Sequence, residues 1–287
     1  MAVGMSIVKR VATNWPFTNG SGRFVDTFAR GFDLGDDERV CRTSDGFDIS
    51  VIGNDLIGRH IFFSGKFDRS IAETLQLFSE PGDVILDIGA NVGYVSCVLL
   101  QTIPDSTIYC VEPQPNIAHL LRKNLSRFGQ DRGHVLEAAL SDENGSVTMA
   151  LTPGNFGAST IRSDNSDGML TVKCLHAGEY LSQFSKVDLI KVDVEGHEAV
   201  LFAAAEQELQ RLKPKAIVLE CHGSDAGPSG AVGKSLGRSG YDLYGIQKTL
   251  LRTTLMPIKS DSDCHFNDYV ALSRHRQLPA TDKLRFR

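Results

Sequence analysis

Five short, nearly continuous apolar segments follow Pro81, and helical patterns separate most of them. Strands of this kind, interrupted by helices, are typical of a parallel β-sheet that is covered on both faces. The predicted strands are 83–89, 106–113, 133–140, 187–194 and 215–222, and the predicted helices are 91–101, 116–128 and 198–212. The pattern predicts an α/β fold, and in such open sheets ligands bind beyond the carboxyl ends of the strands.

The rest of the chain adds segments at both ends of this pattern. We predict a small N-terminal α/β extension at 1–68, with short β-type pieces at 47–52 and 59–65. The main domain is placed at 69–273 and begins with an amphipathic helix at 69–79. It contains a β insertion at about 145–175 and a closing strand pair at 241–246 and 265–273. Residues 274–287 are predicted to be a basic, solvated tail.

The composition of the chain does not favour nucleic acid, membranes or metal ions as binding partners. The 287-residue chain has a net charge of −5, which gives no overall attraction to nucleic acid or to an anionic membrane. Its 6 cysteines are scattered, so neither a metal centre nor a disulfide framework is expected. The N-terminus has no signal-peptide pattern, and no apolar run approaches about 18 residues. We therefore expect a cytoplasmic protein with no membrane span and no bound metal.

The first strand of the main domain contains a carboxylate. Asp87 lies between Leu86 and Ile88, and a buried, unpaired charge is so costly that it requires a partner. Gly89 and Gly93 follow, and they permit a tight turn and a close approach of the next helix. The pattern is not the dinucleotide motif G-x-G-x-x-G, and a carboxylate ahead of the turn repels phosphate. We interpret Asp87 as attracting a cationic ligand.

Acidic residues also end the next two predicted strands. Glu112 follows Asp87 at roughly the 20-residue interval at which an acidic residue binds a ribose diol. Asp142 follows the third strand, where it is able to accept a hydrogen bond from an exocyclic amine. Each residue alone is also explained as a helix cap or a turn residue. Together, the three strand ends fit a ligand with a positive charge, a ribose and an aminopurine, and S-adenosylmethionine has all three.

The fourth strand leads into a dense group of polar residues: Lys191, Asp193, Glu195, His197 and Glu198. Acidic residues in the first turn of a helix interact favourably with its dipole, which explains Glu195 and Glu198 as well as a functional role does. Asp193 ends an apolar strand that points toward the predicted crevice. We therefore expect Asp193 to orient a cofactor or a substrate.

These residues and those after the fifth strand supply the catalytic candidates. We consider His197, His222 and Asp193 as candidate general bases, with Glu195 also in the candidate set. An alternative is that Asp193, Glu195 and His222 bind a divalent cation, but their spacing is not a recognised metal motif.

The quoted strand ends resemble the FkbM family of S-adenosylmethionine-dependent methyltransferases. The resemblance rests on VILDIGANVG, VEPQPN, AALSDENG and DLIKVDVEGHE, in that order, and covers roughly residues 45–222. It implies a class I, Rossmann-like methyltransferase with a mostly parallel seven-stranded sheet, helices on both faces and an antiparallel last strand, for which 265–273 is the candidate. It also implies O-methylation of hydroxyls on sugars, polyketides or similar secondary metabolites.

The resemblance further implies roles for individual residues. The methionine part of the cofactor would be lined by Asp87, Gly89, Ala90, Asn91 and Gly93, the ribose would be bound by Glu112, and the adenine by Asp142. Pro113, Ser141 and Asp193, at the same strand ends, complete the predicted cofactor-binding set. The chain departs from the family pattern at His176, where an acidic residue is expected.

The methyl acceptor is predicted to be a hydroxyl of a small molecule or a glycan, with no nucleic-acid partner. Alternatives are a nucleic-acid or protein methyltransferase, a nucleotide-dependent oxidoreductase, and a non-catalytic module that binds S-adenosylmethionine. Phe62, Phe63 and Phe67 are candidates for an acceptor wall, although such residues commonly serve packing. Residues 154–168 form either a lid or a surface loop. The sequence does not indicate an oligomeric state.

Overall fold

The computed structural model describes residues 2–152, 154–162, 169–276 and 285–286. The helices are α1 Ala2–Thr13, α2 Ser21–Phe28, α3 Leu56–Ser64, α4 Arg69–Leu77, α5 Tyr94–Thr102, α6 Pro115–Leu125, α7 Ala177–Ser182, α8 Glu198–Leu212 and α9 Ala231–Arg238. The strands are β1 Glu38–Arg42, β2 Asp48–Ile52, β3 Val84–Ile88, β4 Thr107–Val111, β5 Gly133–Leu136, β6 Ala139–Ser141, β7 Gly145–Ala150, β8 Thr160–Arg162, β9 Met169–His176, β10 Leu189–Val192, β11 Ala216–Glu220, β12 Tyr241–Lys248, β13 Thr253–Pro257, β14 Asp268–Ser273 and β15 Arg285–Phe286. Short 3₁₀ turns cover Ser126–Phe128, Phe156–Ala158 and Asp261–Asp263.

The central sheet has the predicted architecture. In the described part of the chain its order is β15-β13-β12-β14-β11-β10-β3-β4-β5. Five strands are parallel to one another: β11, β10, β3, β4 and β5. Strand β14 lies between β11 and β12 and is antiparallel to both. The seven-stranded class I sheet and its antiparallel last strand are therefore confirmed. Strands β13 and β15, which the sequence did not predict, extend this sheet beyond β12.

The register of the sheet places one ion pair inside it. Leu189 is opposite Ile85, and Lys191 is opposite Asp87 on the neighbouring parallel strand. Side chains alternate between the two faces of a strand, so Asp87 and Lys191 share the face of Ile85 and Leu189. Apolar cores cover both faces, one containing Ile85 and the other Leu86. The two charged side chains are thus buried next to each other within the apolar layer.

The third predicted strand is wrong in detail. Residues 133–140 do not form one strand: β5 ends the central sheet, and β6 belongs to a separate four-stranded sheet of order β6-β9-β7-β8. Strand β6 is parallel to β9, and the predicted insertion supplies the antiparallel β7–β9 pair. Of the predicted lid or loop at 154–168, residues 163–168 lie outside the described residues.

The N-terminal part also differs from the prediction at one segment. Residues 59–65 were expected to be β-type but belong to helix α3. The side chain of Asp55 accepts a hydrogen bond from the backbone N–H of Ile57 at the start of this helix, and Gly65 ends it in the left-handed conformation. Ile57 and Ile61 are buried on one helical face. A run of apolar residues this short does not distinguish a strand from a helix. The caps at Asp55 and Gly65 favour the helix here.

Core residues from both sides of the proposed boundary at residue 68 pack together. Ile49, Val51 and Ile61 are in the same apolar core as Leu75 and Leu99. Phe63 is instead buried in a smaller cluster with Ala12 and Val25. The division of the chain into domains at residue 68 stays a prediction. Most of the predicted tail, 277–284 and 287, lies outside the described residues.

Candidate functional site

A cavity of about 250 Å³ opens at the carboxyl edge of the central sheet. Eight of the predicted site residues line it: Gly89, Ala90, Asn91, Gly93, Glu112, Pro113, Asp193 and Glu195. The other five, which are outside its lining, are Asp87, Ser141, Asp142, His197 and His222. The strand ends therefore converge on one space, but Asp87, the pair Ser141 and Asp142, and both histidines lie outside its lining.

Asp87 has its partners within the chain. Its carboxylate is 1% exposed and accepts a hydrogen bond from the Ser96 hydroxyl at 2.6 Å. The second carboxylate oxygen, Oδ1, lies 3.4 Å from the ammonium of Lys191. The interpretation that the partner of Asp87 is a cationic ligand is thus corrected, because Lys191 supplies the positive charge. The sequence alone did not reveal this pair, since it depends on the register of β3 and β10.

Lys191 links three parts of the site. Its ammonium donates to the backbone carbonyl of Gly89 at 2.9 Å and lies 3.4 Å from Asp193 Oδ2. Burial lowers the pKa of this ammonium, but the attraction of Asp87 and Asp193 outweighs it and raises the pKa well above its usual value. Lys191 is therefore a permanent cation that fixes the turn after β3 and the end of β10 relative to each other.

The loops that line the cavity contain unusual backbone conformations. Asp68, Asn91 and Glu195 are non-glycine residues with φ values of 43°, 49° and 49°. Left-handed φ values are uncommon outside glycine and concentrate at functional sites. Gly89 has a φ of 75°, and a Cβ there would lie 1.8 Å from the carbonyl oxygen of Asp193. The turn after β3 therefore requires glycine for both conformation and space.

Glu112 is held at the end of β4 by backbone donors. It is 3% exposed, and its two oxygens accept from the N–H groups of Asn91 and Gln114, each at 3.0 Å. Burial raises the pKa of Glu112 to about 7, although these two hydrogen bonds oppose the shift. The carboxylate is thus fixed in position at the cavity and ionises near neutral pH.

The β insertion roofs one end of the cavity through Phe156. Its backbone N–H donates to Asp55 Oδ1 at 2.8 Å, and its carbonyl accepts from Gln114 Nε2 at 2.9 Å. Asp55 also caps helix α3, since its Oδ2 accepts from Ile57 at 3.0 Å. Leu140, Met149, Phe156, Ser159 and Ile161 line this end. Among the three candidate acceptor-wall phenylalanines, Phe67 lines the cavity.

The opposite end of the cavity is rich in carboxyl groups. Asp68, Asp193, Glu195 and Glu220 line it together with Lys191. Burial, followed by repulsion from neighbouring carboxylates, raises the pKa of Glu195 to about 7 and that of Glu220 to about 8. Burial likewise raises the pKa of Asp68 to about 6. Proton acceptors near neutral pH are therefore concentrated at this end.

The loop that carries Glu195 is supported by Glu198. Its Oε1 accepts from the N–H groups of Val194 at 3.3 Å and Gly196 at 3.1 Å. The side chain is buried at the start of α8. Glu198 therefore holds the loop in place, whereas Glu195 faces the cavity.

Both histidines are directed to other contacts. His197 Nε2 lies 2.8 Å from the hydroxyl of Ser141, which also donates to Asp142 at 2.9 Å. Burial lowers the pKa of His197. Asp142 is exposed, and the hydrogen bond from Ser141 lowers its pKa. The side chain of His222 is 60% exposed and lies 3.4 Å from Glu220.

The lining residues that sequence reasoning did not place in the site include Asp68, Gln114, Phe156 and Ser159. Gln114 belongs to the quoted VEPQPN motif, so its place two residues after Glu112 was a usable signal. The other three come from a turn and an insertion without a strand-end pattern. In the described ranges, no group of three or more His, Cys, Asp or Glu side chains is arranged to bind a metal ion.

The methyltransferase FkbM domain matches residues 87–236, which is more than half of this chain. The chain belongs to the FkbM methyltransferase family. This match confirms the predicted family. It does not test the roles of individual residues.

Two curated proteins illustrate the similarity. The chain is 28% identical over 159 residues to the 2-O-methyltransferase NoeI of Sinorhizobium fredii, covering 49% of this chain and 65% of that protein. It is 25% identical over 157 residues to the hexuronic acid methyltransferase AglP of Haloferax volcanii, covering 54% of this chain and 62% of that protein. The aligned part of the chain thus spans less than two thirds of the length of each of these two relatives.

Among solved structures, the chain is similar to magnesium protoporphyrin IX methyltransferase from Synechocystis PCC 6803 with bound S-adenosylmethionine. The identity is 13% and the TM-score 0.39, with 72% of this chain and 77% of that chain covered. The assignment of the fold rests instead on the strand order of the central sheet. Within the described residues, no helix combines the length and the apolar character needed to cross a membrane.

Proposed function

We propose that this protein transfers a methyl group from S-adenosylmethionine to a hydroxyl of a sugar, a glycan or a secondary metabolite. The observation that carries the proposal is the cavity itself. Its lining includes Glu112, a carboxylate held by backbone donors, and further carboxyl groups with a raised pKa, among them Glu195 and Glu220. The name of NoeI, a 2-O-methyltransferase, favours an oxygen acceptor, and that of AglP, a hexuronic acid methyltransferase, favours a sugar acid.

The lining fits the cofactor. Glu112 would accept hydrogen bonds from the hydroxyls of the ribose, and the backbone of residues 89–91 would line the methionine part of the cofactor. The cofactor supplies an electrophilic methyl group on a sulfonium. Asp87 acts indirectly in this proposal, because it orients Lys191, and Lys191 holds the carbonyl of Gly89. Asp193 positions the reacting groups at the end of β10.

The carboxylate of Glu195 is proposed as the general base. It lines the cavity, and the loop that carries it is fixed by Glu198. Its pKa of about 7 allows it to accept the hydroxyl proton at neutral pH as the new C–O bond forms. His197 and His222 remain the alternative bases, but both histidines lie outside the lining, where His197 contacts Ser141 and the exposed His222 is 3.4 Å from Glu220. Alignment of the reactants contributes the larger share, about 7–11 kcal/mol.

The activity is tested by mass spectrometry of methylated products from a panel of hydroxylated glycans and metabolites. Calorimetry with S-adenosylhomocysteine and, separately, NAD distinguishes a methyltransferase from an oxidoreductase. Binding of S-adenosylhomocysteine and a mass gain of one methyl group support the proposal. Lack of binding of S-adenosylhomocysteine by the folded protein refutes it, and binding without methylation of any acceptor would favour a non-catalytic module.

The base is tested with Glu195→Gln and with Glu143→Gln as an exposed control on the same protein. Glu195→Gln should lower kcat by about 10²–10⁴-fold without changing the affinity for S-adenosylhomocysteine. In the wild type, kcat/KM should rise as the pH increases through about 7. His197→Ala and His222→Ala should retain turnover across neutral pH. Loss of turnover in either histidine variant, with Glu195→Gln still active, would assign the base to that histidine.

The location and the partners are also proposals. The 6 cysteines are free thiols, and five of them are buried, which fits a reducing compartment such as the cytoplasm. We expect no nucleic-acid acceptor, because the net charge is −5 and the cavity carries several carboxyl groups. Methylation of RNA, DNA or protein in the same acceptor panel would contradict this expectation.

A further inference from the structure

Two buried polar atoms in the lining of the cavity have no partner within the described residues: Gln114 Oε1 and Ser159 Oγ. Gln114 is 4% exposed and Ser159 is 5% exposed. A buried polar atom without a hydrogen bond is costly, and native proteins rarely leave one unless a ligand or a water satisfies it. Gln114 follows β4 and Ser159 belongs to the insertion, whereas Asp193 and Glu220 are at the ends of β10 and β11, on the other side of β3. The two free atoms therefore indicate where a polar group of a ligand is bound.

The chemistry of the two atoms can be read from their contacts. Gln114 Nε2 donates to the carbonyl of Phe156 at 2.9 Å. Because a carbonyl accepts but cannot donate, the amide nitrogen must face it, and the free Gln114 atom is an oxygen acceptor. The Ser159 hydroxyl is free to donate or to accept. The pair offers a fixed acceptor and an adaptable hydroxyl.

The surrounding walls are apolar. Leu140, Met149, Phe156 and Ile161 line the same end. The roof is close to the turn after β3, since a Cβ on Gly157 would lie 3.6 Å from Asn91 Nδ2. Apolar walls combined with a few hydrogen-bonding atoms fit a heteroaromatic ring. The two hydrogen-bonding atoms match a ring that has an amino group beside a ring nitrogen.

We propose that Gln114 and Ser159 recognise the 6-aminopurine edge of the cofactor, an inference that rests on the proposed function. Gln114 Oε1 accepts from the exocyclic amine, and the Ser159 hydroxyl donates to a ring nitrogen. Gln114, just after β4, and Ser159, from the insertion, thus bind the purine in place of Asp142, which is exposed and bonded to Ser141. The site discriminates against a 6-oxopurine, since two acceptor oxygens would face each other at Gln114.

The test compares S-adenosylhomocysteine with S-inosylhomocysteine by calorimetry. The wild type should bind the adenosyl compound at least about tenfold more tightly, because a site built to accept from an amine rejects its oxo analogue. Ser159→Ala should weaken adenosyl binding by about threefold to tenfold, the effect of one lost hydrogen bond. Its thermal midpoint should not fall, since the hydroxyl has no partner in the free protein.

Ser239→Ala is the matched control. Ser239 is 2% exposed and its hydroxyl also has no partner among the described residues, but it lies outside the cavity lining. This variant should bind both compounds as the wild type does. Gln114→Leu, provided that it unfolds at a midpoint near that of the wild type, should lose the preference for the adenosyl compound.

The outcomes separate the two proposals. Equal affinity of the wild type for both compounds, or unchanged adenosyl binding by Ser159→Ala, overturns the assignment of the purine edge while leaving the methyltransferase proposal intact. If the wild type binds neither compound, the proposed function fails, and this inference fails with it.

Discussion

Replacement of Lys191 by methionine should destabilise the protein more than replacement of any exposed lysine. Methionine preserves much of the length and apolar volume of the side chain but removes the ammonium. Asp87, 1% exposed, would then keep Ser96 as a partner but lose its neighbouring positive charge. Removal of one member of a buried ion pair typically costs about 3–5 kcal/mol. Asp193 contributes less to this cost because its side chain is 25% exposed and partly hydrated.

The expected loss is large relative to a typical total stability of about 5–15 kcal/mol. At about 2–4 °C per kcal/mol, the thermal midpoint should fall by about 6–20 °C, measured by circular dichroism and by urea unfolding at pH 7.5. Lys123→Met is the control, because the pair of Lys123 with Glu38 is exposed and should contribute less than about 1 kcal/mol.

The double variant Asp87→Asn/Lys191→Met tests the cause of the loss. If the cost comes from an uncompensated buried charge, neutralising Asp87 should recover about 2 kcal/mol or more relative to Lys191→Met alone. A Lys191→Met variant within about 1 kcal/mol of the wild type would refute the reasoning. So would a double variant whose loss is the sum of the two single losses.

Three further predictions concern the cavity. The thermal midpoint of the free protein should fall as the pH rises from 5 to 9, because a carboxyl group with a raised pKa stabilises the fold in its protonated form. Glu220→Gln should flatten the plot of thermal midpoint against pH around the Glu220 pKa of about 8. A plot that Glu220→Gln leaves unchanged would contradict the raised pKa of Glu220. Gly89→Ala should lower the thermal midpoint and abolish calorimetric binding of S-adenosylhomocysteine, since the alanine Cβ would lie 1.8 Å from the Asp193 carbonyl oxygen. If Gly89→Ala binds S-adenosylhomocysteine as the wild type does, the turn relaxes to accommodate the Cβ. Asp55→Ala should lower the free energy of unfolding by about 1 kcal/mol through loss of the helix cap, and it should weaken binding of S-adenosylhomocysteine through release of Phe156. Asp55→Ser should restore the stability but not the affinity. If Asp55→Ser restores both, the contact with Phe156 is unimportant for binding.

Local sequence patterns were sufficient for most of the central sheet. Helix α8 was predicted at its observed bounds, because the apolar spacing of 198–212 is an unambiguous helical signal. Segment 59–65 was assigned wrongly because its outcome depends on Asp55 and Gly65, which lie at and beyond its edges. The split of 133–140 into β5 and β6 depends on which sheet each half joins, and no local pattern contains that information.

The site was predictable where strand ends define it. Glu112 and Asp193 line the cavity because parallel strands bring their carboxyl ends to one edge. The partner of Asp87 depends on a register between strands about a hundred residues apart, and the free oxygens of Gln114 and Ser159 depend on neighbours contributed by the insertion. Such features arise from tertiary contacts, so residue type and spacing along the chain do not reveal them.

The two contacts of Asp55 have a consequence for how such a site changes during evolution. This single carboxylate joins the start of helix α3 to the turn that contains Phe156, yet it precedes the region from 87 to 236 that matches the family. Substitutions upstream of every shared motif can therefore loosen or reshape this turn while the sheet stays the same. Specialisation of the pocket is open to selection at a position that a comparison of family motifs would not inspect.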